Sequence, residues 1–579
     1  MEKHTKIHIK QTRQFYFLVL IGTICIAIFY GRHIRMINTV WELGDEYGYM
    51  ANAAYMVNSN WSYLITAYFG YGYSVLLLPF FMLYNTGIEL IQSAILVNTV
   101  CIVLMFWIET ALLSRLCSNL NKKNIAIVSC VLCFFPYLIT SSMKVICECF
   151  LSLMMWVVWL LLYKALTSSK KIYYILLGGS LAYLFFIHVR SVIIIGIIIL
   201  FMVGLRFYKR IGMKQIACCT ISFLILFIIG YCIKYYIISG VYTIAKTENT
   251  GIIEHANIIN LKFITDRIRW LILSDFKFYI YTIACKTFYL YVASIGFLPL
   301  GIYGTYCAVL QKWKVKKRLS DEEIVKLVIV VSFVGMMIAV FFSGAGDVDQ
   351  YQFFYYGRYY EYIMMPLMAF GIDYCFDSKM KIKVIFESLL FFLILGIGSL
   401  ALEKYLTNTD AIIDTGRMAA FTCAASNAID YKNMLQYIIC LIVFAMICCV
   451  SCCRKKHLWG LMLVPVVYMF MYNDYYIEKT IKQINESAVG DNHIVDYLDE
   501  NYDEKEIYFV NTEYKHQGFY TRMQVLLGYR KLVILEVEHI NEIPDGAYFV
   551  TYHNNPYSEK FKKRYNQVIE GSAFELYIK

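Results

Sequence analysis

The sequence predicts a mainly α-helical protein: a polytopic transmembrane bundle of about 11–14 spans, followed by a small C-terminal α/β domain outside the membrane. Of its 579 residues, 59% are hydrophobic and only 16% are charged, whereas a soluble protein carries about 25% charged residues. Apolar runs of membrane length recur as far as residue 472. We therefore expect residues 1–472 to form the membrane domain and residues 473–579 the external domain.

The first predicted span is the apolar run at residues 15–30, which follows Lys3, Lys6, Lys10 and Arg13. Basic residues are typical of the cytoplasmic side of a membrane helix, so this span should lead outwards. Too much apolar sequence follows for the segment to be a cleaved signal, and no small-residue cleavage site is evident.

Basic clusters mark the other cytoplasmic loops, at residues 115–123, 164–171, 206–214, 312–326, 379–383 and 454–456. They account for the net charge of +11, so we expect no nucleic-acid partner. Alternation then places these segments outside: 31–70, 144–148, 188–190, 236–275, 344–358, 403–432 and everything after 472. Strict alternation allows one crossing between residues 71 and 113, yet two apolar runs lie there. Either one run is re-entrant or the charge rule fails locally.

The C-terminal segment alternates helix-like and strand-like stretches, which indicates a small α/β domain. We predict helices at residues 494–502, 519–527 and 559–568, and strands at 507–510, 532–535, 547–553 and 574–578. The segment carries no Gly-rich phosphate loop and no recognisable Ser, His and Asp set. A role as a lid or scaffold is therefore favoured for it.

Cysteine usage gives no sign of a disulfide scaffold or a metal centre. Most of the 19 cysteines lie inside apolar runs, and the segment after residue 472 has none. In a span, cysteine behaves as a small hydrophobic residue. The cysteine pairs also lack histidine partners at ligand spacing, so we predict no metal site.

An acidic pair, Asp45 and Glu46, lies just past the first span, with Tyr49 and Asn52 following it. A carboxylate at the external mouth of the membrane could act as a general base on a substrate hydroxyl. Taken alone, the pair is more typical of a solvated loop than of a site.

Further ionisable residues fall at the same predicted external end: Lys144, Glu148, His188, Arg190 and Arg358. A charge at the bilayer centre costs about 2.5–3.5 kcal/mol on insertion scales. Such residues therefore lie near water, form ion pairs or belong to a functional site. Lys144 and Glu148 are spaced for a simple i,i+4 helical pair. Each arginine is either an interface anchor or a clamp for phosphate, whose oxygens suit the guanidinium fork.

The order of these residues resembles the GT-C membrane glycosyltransferases, especially their protein-mannosyltransferase and lipid A aminoarabinose-transferase branch. The resemblance rests on the pair Asp45-Glu46, the aromatic-glycine stretch at 68–74, Glu148 before an apolar helix, Arg190 at a hairpin tip, and Gly357-Arg358-Tyr359 before Pro366. The chain departs from the commoner pattern at Gly72, where a proline is frequent, and at Val189, where a threonine is common.

The resemblance implies a sugar donor linked to a polyprenyl phosphate, and inverting transfer to an acceptor hydroxyl outside the membrane. Asp45 would be the general base, Glu46 would orient the acceptor or hold the base, and Arg190 and Arg358 would bind the donor phosphate. The implied substrate pocket comprises Tyr49, Asn52, Glu148, His188 and Tyr359. No nucleotide site is implied, and only some branches use a divalent metal, so we predict no cofactor.

The expected partners are therefore the lipid-linked donor, the bilayer, and a glycan, protein or lipid acceptor. We expect a multi-pass protein of a bacterial plasma membrane, with its active site and C-terminal domain outside. Two alternatives stay open. An envelope polysaccharide polymerase or ligase also has many spans and external arginines. A transporter or lipid flippase would place its ionisable residues near the bilayer midplane instead.

Overall fold

A computed structural model describes the chain at residues 2–40, 43–57, 61, 70–168, 170–241, 269, 276–315, 317–343, 357–377, 380, 382–406, 460, 462, 466–467, 478–501, 506–512 and 519–579. The predicted domain boundary at 472/473 and the basic loop at 454–456 lie outside these residues. So does most of the three external stretches predicted at 236–275, 344–358 and 403–432. These expectations stay predictions.

Helices dominate the described residues. In chain order, α1 to α18 are Glu2–Gly31, Leu43–Met56, Ser74–Leu83, Gly87–Leu116, Lys122–Leu132, Pro136–Ser142, Glu148–Ser168, Lys171–Ile187, Val192–Phe207, Met213–Val241, Phe276–Ala293, Phe297–Lys314, Asp321–Ser343, Met365–Cys375, Ile382–Leu406, Glu478–Asn501, Phe519–Leu527 and Ser558–Arg564. The strands β1 to β5 are Ile507–Asn511, Leu532–Glu536, Tyr548–Tyr552, Asn566–Glu570 and Phe574–Ile578.

The helical part contains segments long and apolar enough to cross a bilayer. Among the described residues there are 6 such helices, or up to 8 if two bent helix pairs are counted as one span each. The chain is therefore an integral, multi-pass membrane protein, and the predicted class of helical bundle with a small C-terminal sheet domain is confirmed. The count of about 11–14 spans concerns the whole chain and stays a prediction.

The two apolar runs between residues 71 and 113 fold into helices of very different length. Helix α3 has 10 residues, with Pro79 inside it, and α4 has 30 residues. A helix of 10 residues is about 15 Å long, half the thickness of the hydrocarbon core. Only α4 is therefore long enough to cross, as alternation of the basic loops requires.

The C-terminal segment folds around a five-stranded sheet of order β2-β1-β3-β5-β4. Strand β1 pairs in parallel with β2 and β3, whereas β5 pairs antiparallel with β3 and β4. The central strand β3 is buried along its whole length, because apolar clusters cover both of its faces, with Val550 in one cluster and Phe549 in the other.

One predicted element of this domain is partly wrong. Residues 559–568 were expected to be a helix, but α18 ends at Arg564 and β4 begins at Asn566. The stretch from Asn566 to Glu570 pairs with β5 next to it in the sheet. These backbone hydrogen bonds to a neighbouring strand override the helical appearance of the local sequence.

The C-terminal domain packs directly on the membrane bundle. Val525 of α17 belongs to the main apolar core of the bundle. The indole N–H of buried Trp61 donates to the carbonyl of Gly528 at 2.5 Å, and the backbone N–H of Tyr529 donates to Asn85 at 3.2 Å. Trp61 in turn stacks on Tyr47 of α2, with ring centroids 5.6 Å apart. The domain therefore contacts the helix that carries Asp45.

The contact with the bundle depends on Gly87, the first residue of α4. A Cβ atom there would lie 1.8 Å from the carbonyl oxygen of Val525. We expect Gly87→Ala to push the C-terminal domain off the bundle at a cost of about 1–3 kcal/mol. Faster cleavage of the domain by a protease, followed on the full-length protein in detergent, would report this loosening.

A matched control is Gly31→Ala at the end of α1, where an added Cβ meets nothing within 4 Å. The control should be cleaved at the wild-type rate. Equal cleavage rates for Gly87→Ala and Gly31→Ala would show that this contact does not hold the domain.

Candidate active site

Four charged residues from separate parts of the chain meet at one end of the bundle. Asp45 lies in the first turn of α2 and Glu148 is the first residue of α7. Arg190 lies in the 3₁₀ turn between α8 and α9, and Arg358 shortly precedes the 3₁₀ turn before α14. Carboxylates at the starts of helices are favoured by the helix dipole, which helps to hold both acids in place.

The four side chains form a continuous series of ion pairs. Arg358 binds Asp45 through Nη1 and Oδ2 at 2.5 Å, and binds Glu148 through Nε and Oε1 at 2.5 Å. The same Glu148 oxygen accepts from Nη2 of Arg190 at 3.3 Å. Glu148 thus holds both guanidinium groups beside one another, and Arg358 connects them to Asp45.

Burial decreases from Glu148 through Arg358 to Asp45. The side chain of Glu148 has no exposed surface, and those of Arg190 and Arg358 are 7% and 11% exposed. The side chain of Asp45 is 33% exposed. The cluster is therefore closed around Glu148 and open at Asp45, where a solvent-borne or lipid-borne molecule can approach.

Arg190 keeps hydrogen-bonding capacity in spite of its burial. Its guanidinium lies over the rings of Tyr359 and Tyr362, with carbon-to-centroid distances of 5.7 and 4.9 Å. Among the described residues, its Nε and Nη1 have no hydrogen-bond acceptor. Buried donors normally find acceptors, so these two open donors mark a place where an anion would be favoured.

Glu46 differs from its neighbour Asp45 because it is fully buried. Its Oε1 accepts a hydrogen bond from the backbone N–H of Val145 at 2.7 Å. This contact fixes the start of α2 against the bend that leads into α7, and hence the position of Asp45 relative to Glu148.

The bend at residues 143–147 corrects one sequence-based interpretation. Lys144 and Glu148 do not lie one turn apart on a helix, because α7 begins only at Glu148. The side chain of Asn98 holds the bend instead, donating to the carbonyl oxygens of Ser142 at 3.3 Å and Lys144 at 2.8 Å. Tyr73 donates to Asn98 at 3.0 Å and completes this support.

The predicted pocket residues fall into two groups. His188 and Tyr359 lie at Arg190: the Nδ1 of His188 accepts from the backbone N–H of Arg190 at 3.2 Å, and the partly exposed ring of Tyr359 faces the guanidinium. Tyr49 and Asn52 are fully buried in α2, and Tyr49 donates to the sulfur of Cys147 at 3.0 Å. Contact of Tyr49 or Asn52 with a substrate stays a prediction.

The aromatic-glycine stretch supports the hairpin tip that carries Arg190. The backbone N–H of Gly72 donates to the carbonyl of Phe186 at 2.8 Å, and Tyr183 donates to the carbonyl of Gly72 at 2.7 Å. A proline at position 72 could not make the first of these bonds. The glycine thus has a structural role here; residues 68 and 69 of the stretch lie outside the described residues.

Sequence reasoning missed Tyr362 and Asn98. Tyr362 is one of 51 tyrosines, which as a class are typical of membrane interfaces, and only its contact with Arg190 distinguishes it. Asn98 is an amide-bearing residue inside the apolar helix α4, and that position was its one available signal.

One group of residues spaced to hold a metal occurs among the described residues, and none of its members belongs to the ion-pair series around Asp45. It comprises His553, Glu570 and Glu575 of the C-terminal sheet. The ammonium group of Lys562 already lies 3.5 and 3.6 Å from the two glutamates. A resident cation therefore occupies that position, and the group does not call for a metal.

No protein-family model matches the chain, and no curated protein sequence matches it. Solved structures that resemble it over nearly its whole length include two of ArnT. ArnT from Cupriavidus metallidurans bound to undecaprenyl phosphate has a TM-score of 0.55 at 9% identity, covering 96% of this chain and 97% of that chain. The apo state of ArnT has a TM-score of 0.52 at 8% identity, with the same two coverages.

The oligosaccharyltransferase of Archaeoglobus fulgidus has a TM-score of 0.44 at 12% identity, covering 90% of this chain and 64% of that chain. That likeness is too weak to support an argument. The likeness to ArnT concerns the fold. This is the fold implied by the family resemblance that the order of the charged residues suggested. The chain has the fold of the GT-C membrane glycosyltransferases.

Proposed function

We propose that this protein transfers a sugar from a polyprenyl-phosphate donor to an acceptor hydroxyl at the external face of the membrane, with inversion at the anomeric carbon. The observation that carries the proposal is the ion-pair series from Arg190 through Glu148 and Arg358 to Asp45. In this series Asp45 contacts Arg358, and Glu148 holds Arg190 beside Arg358, which supports a base and a phosphate site in one place. The likeness to ArnT, whose structure holds undecaprenyl phosphate, supports this class of donor.

In this reaction the two arginines bind the donor phosphate. The open Nε and Nη1 of Arg190 supply donors without breaking an existing bond. Negative charge grows on the phosphate as the sugar–oxygen bond breaks, and guanidinium groups fixed nearby stabilise that charge. Because Glu148 holds both guanidinium groups, little reorganisation is needed when the charge develops.

Asp45 removes the proton of the acceptor hydroxyl. The hydroxyl oxygen then attacks the anomeric carbon, the bond from that carbon to the phosphate oxygen breaks, and the lipid phosphate leaves with the bonding electrons. Asp45 suits this role because its side chain is at the open end of the cluster. Glu46 acts as a positioning residue through its bond to Val145.

The pairing of Asp45 with Arg358 suggests an order of events. A carboxylate held by a guanidinium is a weaker base than a free one. An incoming donor phosphate competes with Asp45 for Arg358, so donor binding would release the base. The enzyme would then deprotonate an acceptor only when a donor is in place.

The external location follows from the basic loops, which place the start of α2 on the side opposite to the N-terminal lysines. By the same rule the C-terminal domain, which contacts α2 through Trp61 and Tyr47, is outside. We propose a bacterial plasma membrane as the location, since polyprenyl-phosphate sugars would be supplied there.

The test uses the purified full-length protein in lipid nanodiscs with radiolabelled undecaprenyl-phosphate hexoses and pentoses, and an envelope fraction as the source of acceptors. We expect label to leave the lipid as an equal amount of undecaprenyl phosphate appears, and the new linkage to have the opposite anomeric configuration. Movement of intact donor across a proteoliposome membrane without cleavage would instead identify a flippase and overturn the proposal.

A further inference from the structure

A large cavity lies at the end of the bundle opposite the charged cluster. It has a volume of about 1010 Å³ and is bounded by the last turns of α9 and α12, the loop after α12, and the first turns of α13. Arg190 immediately precedes α9, whose 16 residues extend about 24 Å. The cavity is therefore separate from the site around Asp45.

The polar rim of this cavity is basic. Arg210, Lys314, Lys317 and Arg318 all line it. Arg210 is paired with Asp321 at 3.5 Å. Lys314, Lys317 and Arg318 are exposed, and none has a carboxylate within ion-pair distance in the described part of the chain. Of the other two acids in the first turn of α13, Glu323 is paired with Lys312 at 2.6 Å and Glu322 is hydrogen-bonded to Tyr163.

The walls of the cavity are apolar. Leu200, Phe201 and Leu205 line one side, and Ile324 and Leu327 line the other. Trp313 and Tyr208 stand exposed at its edge, as aromatic residues do at the level of lipid headgroups. A soluble anion would need only the basic rim, whereas the apolar walls suit a hydrocarbon chain attached to it.

We propose that this cavity binds the phosphate headgroup and upper acyl chain of an anionic phospholipid from the leaflet opposite the active site. Lys314, Lys317 and Arg318 supply cationic donors for the phosphate, and the facing walls of α9 and α13 take the chain. The basic loops place this leaflet on the cytoplasmic side, where anionic headgroups meet basic pockets between membrane helices.

The test measures lipid retained on the detergent-purified full-length protein by native mass spectrometry, with dioleoyl phosphatidylglycerol and dioleoyl phosphatidylcholine compared at equal concentration. We expect the anionic lipid to be retained in preference. Lys317→Gln/Arg318→Gln should weaken its binding roughly thirtyfold, because two cations at the headgroup are lost. Lys170→Gln/Lys171→Gln removes two exposed lysines at the same end of the bundle but outside the cavity, and should have no effect.

A second pair of variants tests the apolar part without changing charge. Gly204 lines the cavity and an added Cβ would meet nothing within 4 Å, so Gly204→Leu should fold and fill the cavity. We expect binding of phosphatidylglycerol to weaken about tenfold. Gly196, on the same helix, also has open space at its Cβ but does not line the cavity, so Gly196→Leu should bind as the wild type does.

Equal retention of the two lipids by the wild type would overturn the proposal. So would unchanged retention of phosphatidylglycerol by both Lys317→Gln/Arg318→Gln and Gly204→Leu. Displacement of the bound lipid by millimolar inorganic phosphate would show a site for a free anion, and would equally overturn the assignment to a phospholipid.

Discussion

Asn in place of Asp45 is expected to lower glycosyl transfer by about 10²–10⁴-fold, the usual contribution of a general base. The amide oxygen can still accept from Arg358, so the geometry of the cluster should survive, but the amide cannot take a proton from the acceptor. Single-turnover transfer with a saturating lipid-linked donor measures the chemical step directly. Thermal unfolding of the variant should match that of the wild type.

The same variant separates catalysis from binding. Asp45 and the donor phosphate compete for Arg358, so removing the negative charge should make undecaprenyl phosphate bind more tightly while transfer is lost. A fluorescence or radioligand competition measurement would detect the tighter binding of undecaprenyl phosphate, to be compared with the lower rate of transfer. Transfer at the wild-type rate by Asp45→Asn would remove the proposed base. Loss of transfer together with weaker lipid binding would instead point to a damaged site.

Ala in place of Arg358 should affect both stability and transfer. It leaves the fully buried carboxylate of Glu148 with one guanidinium partner fewer, and breaking a buried ion pair costs about 3–5 kcal/mol. It also removes a ligand for the developing charge of the leaving phosphate, which should lower turnover about 10²–10³-fold. Thermal unfolding and single-turnover transfer, measured on the same preparation, check the two effects.

A double variant distinguishes the two roles of Arg358. Arg358→Ala/Glu148→Gln also removes the carboxylate that has lost one partner, but it leaves buried Arg190 without its counter-ion, so it should regain only part of the lost stability and none of the lost transfer. Arg358→Lys is the conservative control: it keeps the charge but not the two-pronged geometry, and should retain stability better than turnover. Recovery of transfer in the double variant would show that Arg358 acts only by neutralising Glu148.

Local patterns in the sequence were sufficient to predict much of the fold. The strands at 507–510 and 532–535 are each one residue longer in the structure, and 574–578 is unchanged. β4 was missed because its identity depends on pairing with β5, which no local periodicity reports. The short helix α3 was ambiguous for a related reason: hydropathy does not indicate where a helix ends inside an apolar run.

The site was predictable as a set of residues but not as a set of contacts. Charges in or beside apolar spans are costly, so their common position at one end indicated Asp45, Glu148, Arg190 and Arg358. Which of these charges form ion pairs could not be predicted from the sequence, since Arg358 and Glu148 are separated by 210 positions and Arg358 and Asp45 by 313. The i,i+4 spacing of Lys144 and Glu148 suggested a helix that is not there, because residues 143–147 form a bend and α7 begins only at Glu148.

The bond between Trp61 and Gly528 joins positions 467 residues apart, which has a consequence for biosynthesis. A ribosome makes the chain from its N-terminus, so the surface around Trp61 and Tyr47 emerges early and its partner is made almost last. While the intervening spans are being translated, the C-terminal domain does not yet exist, so this surface stays exposed. Nascent chains that stop short of α17 would keep it exposed, and would be the natural targets of membrane chaperones and quality-control proteases.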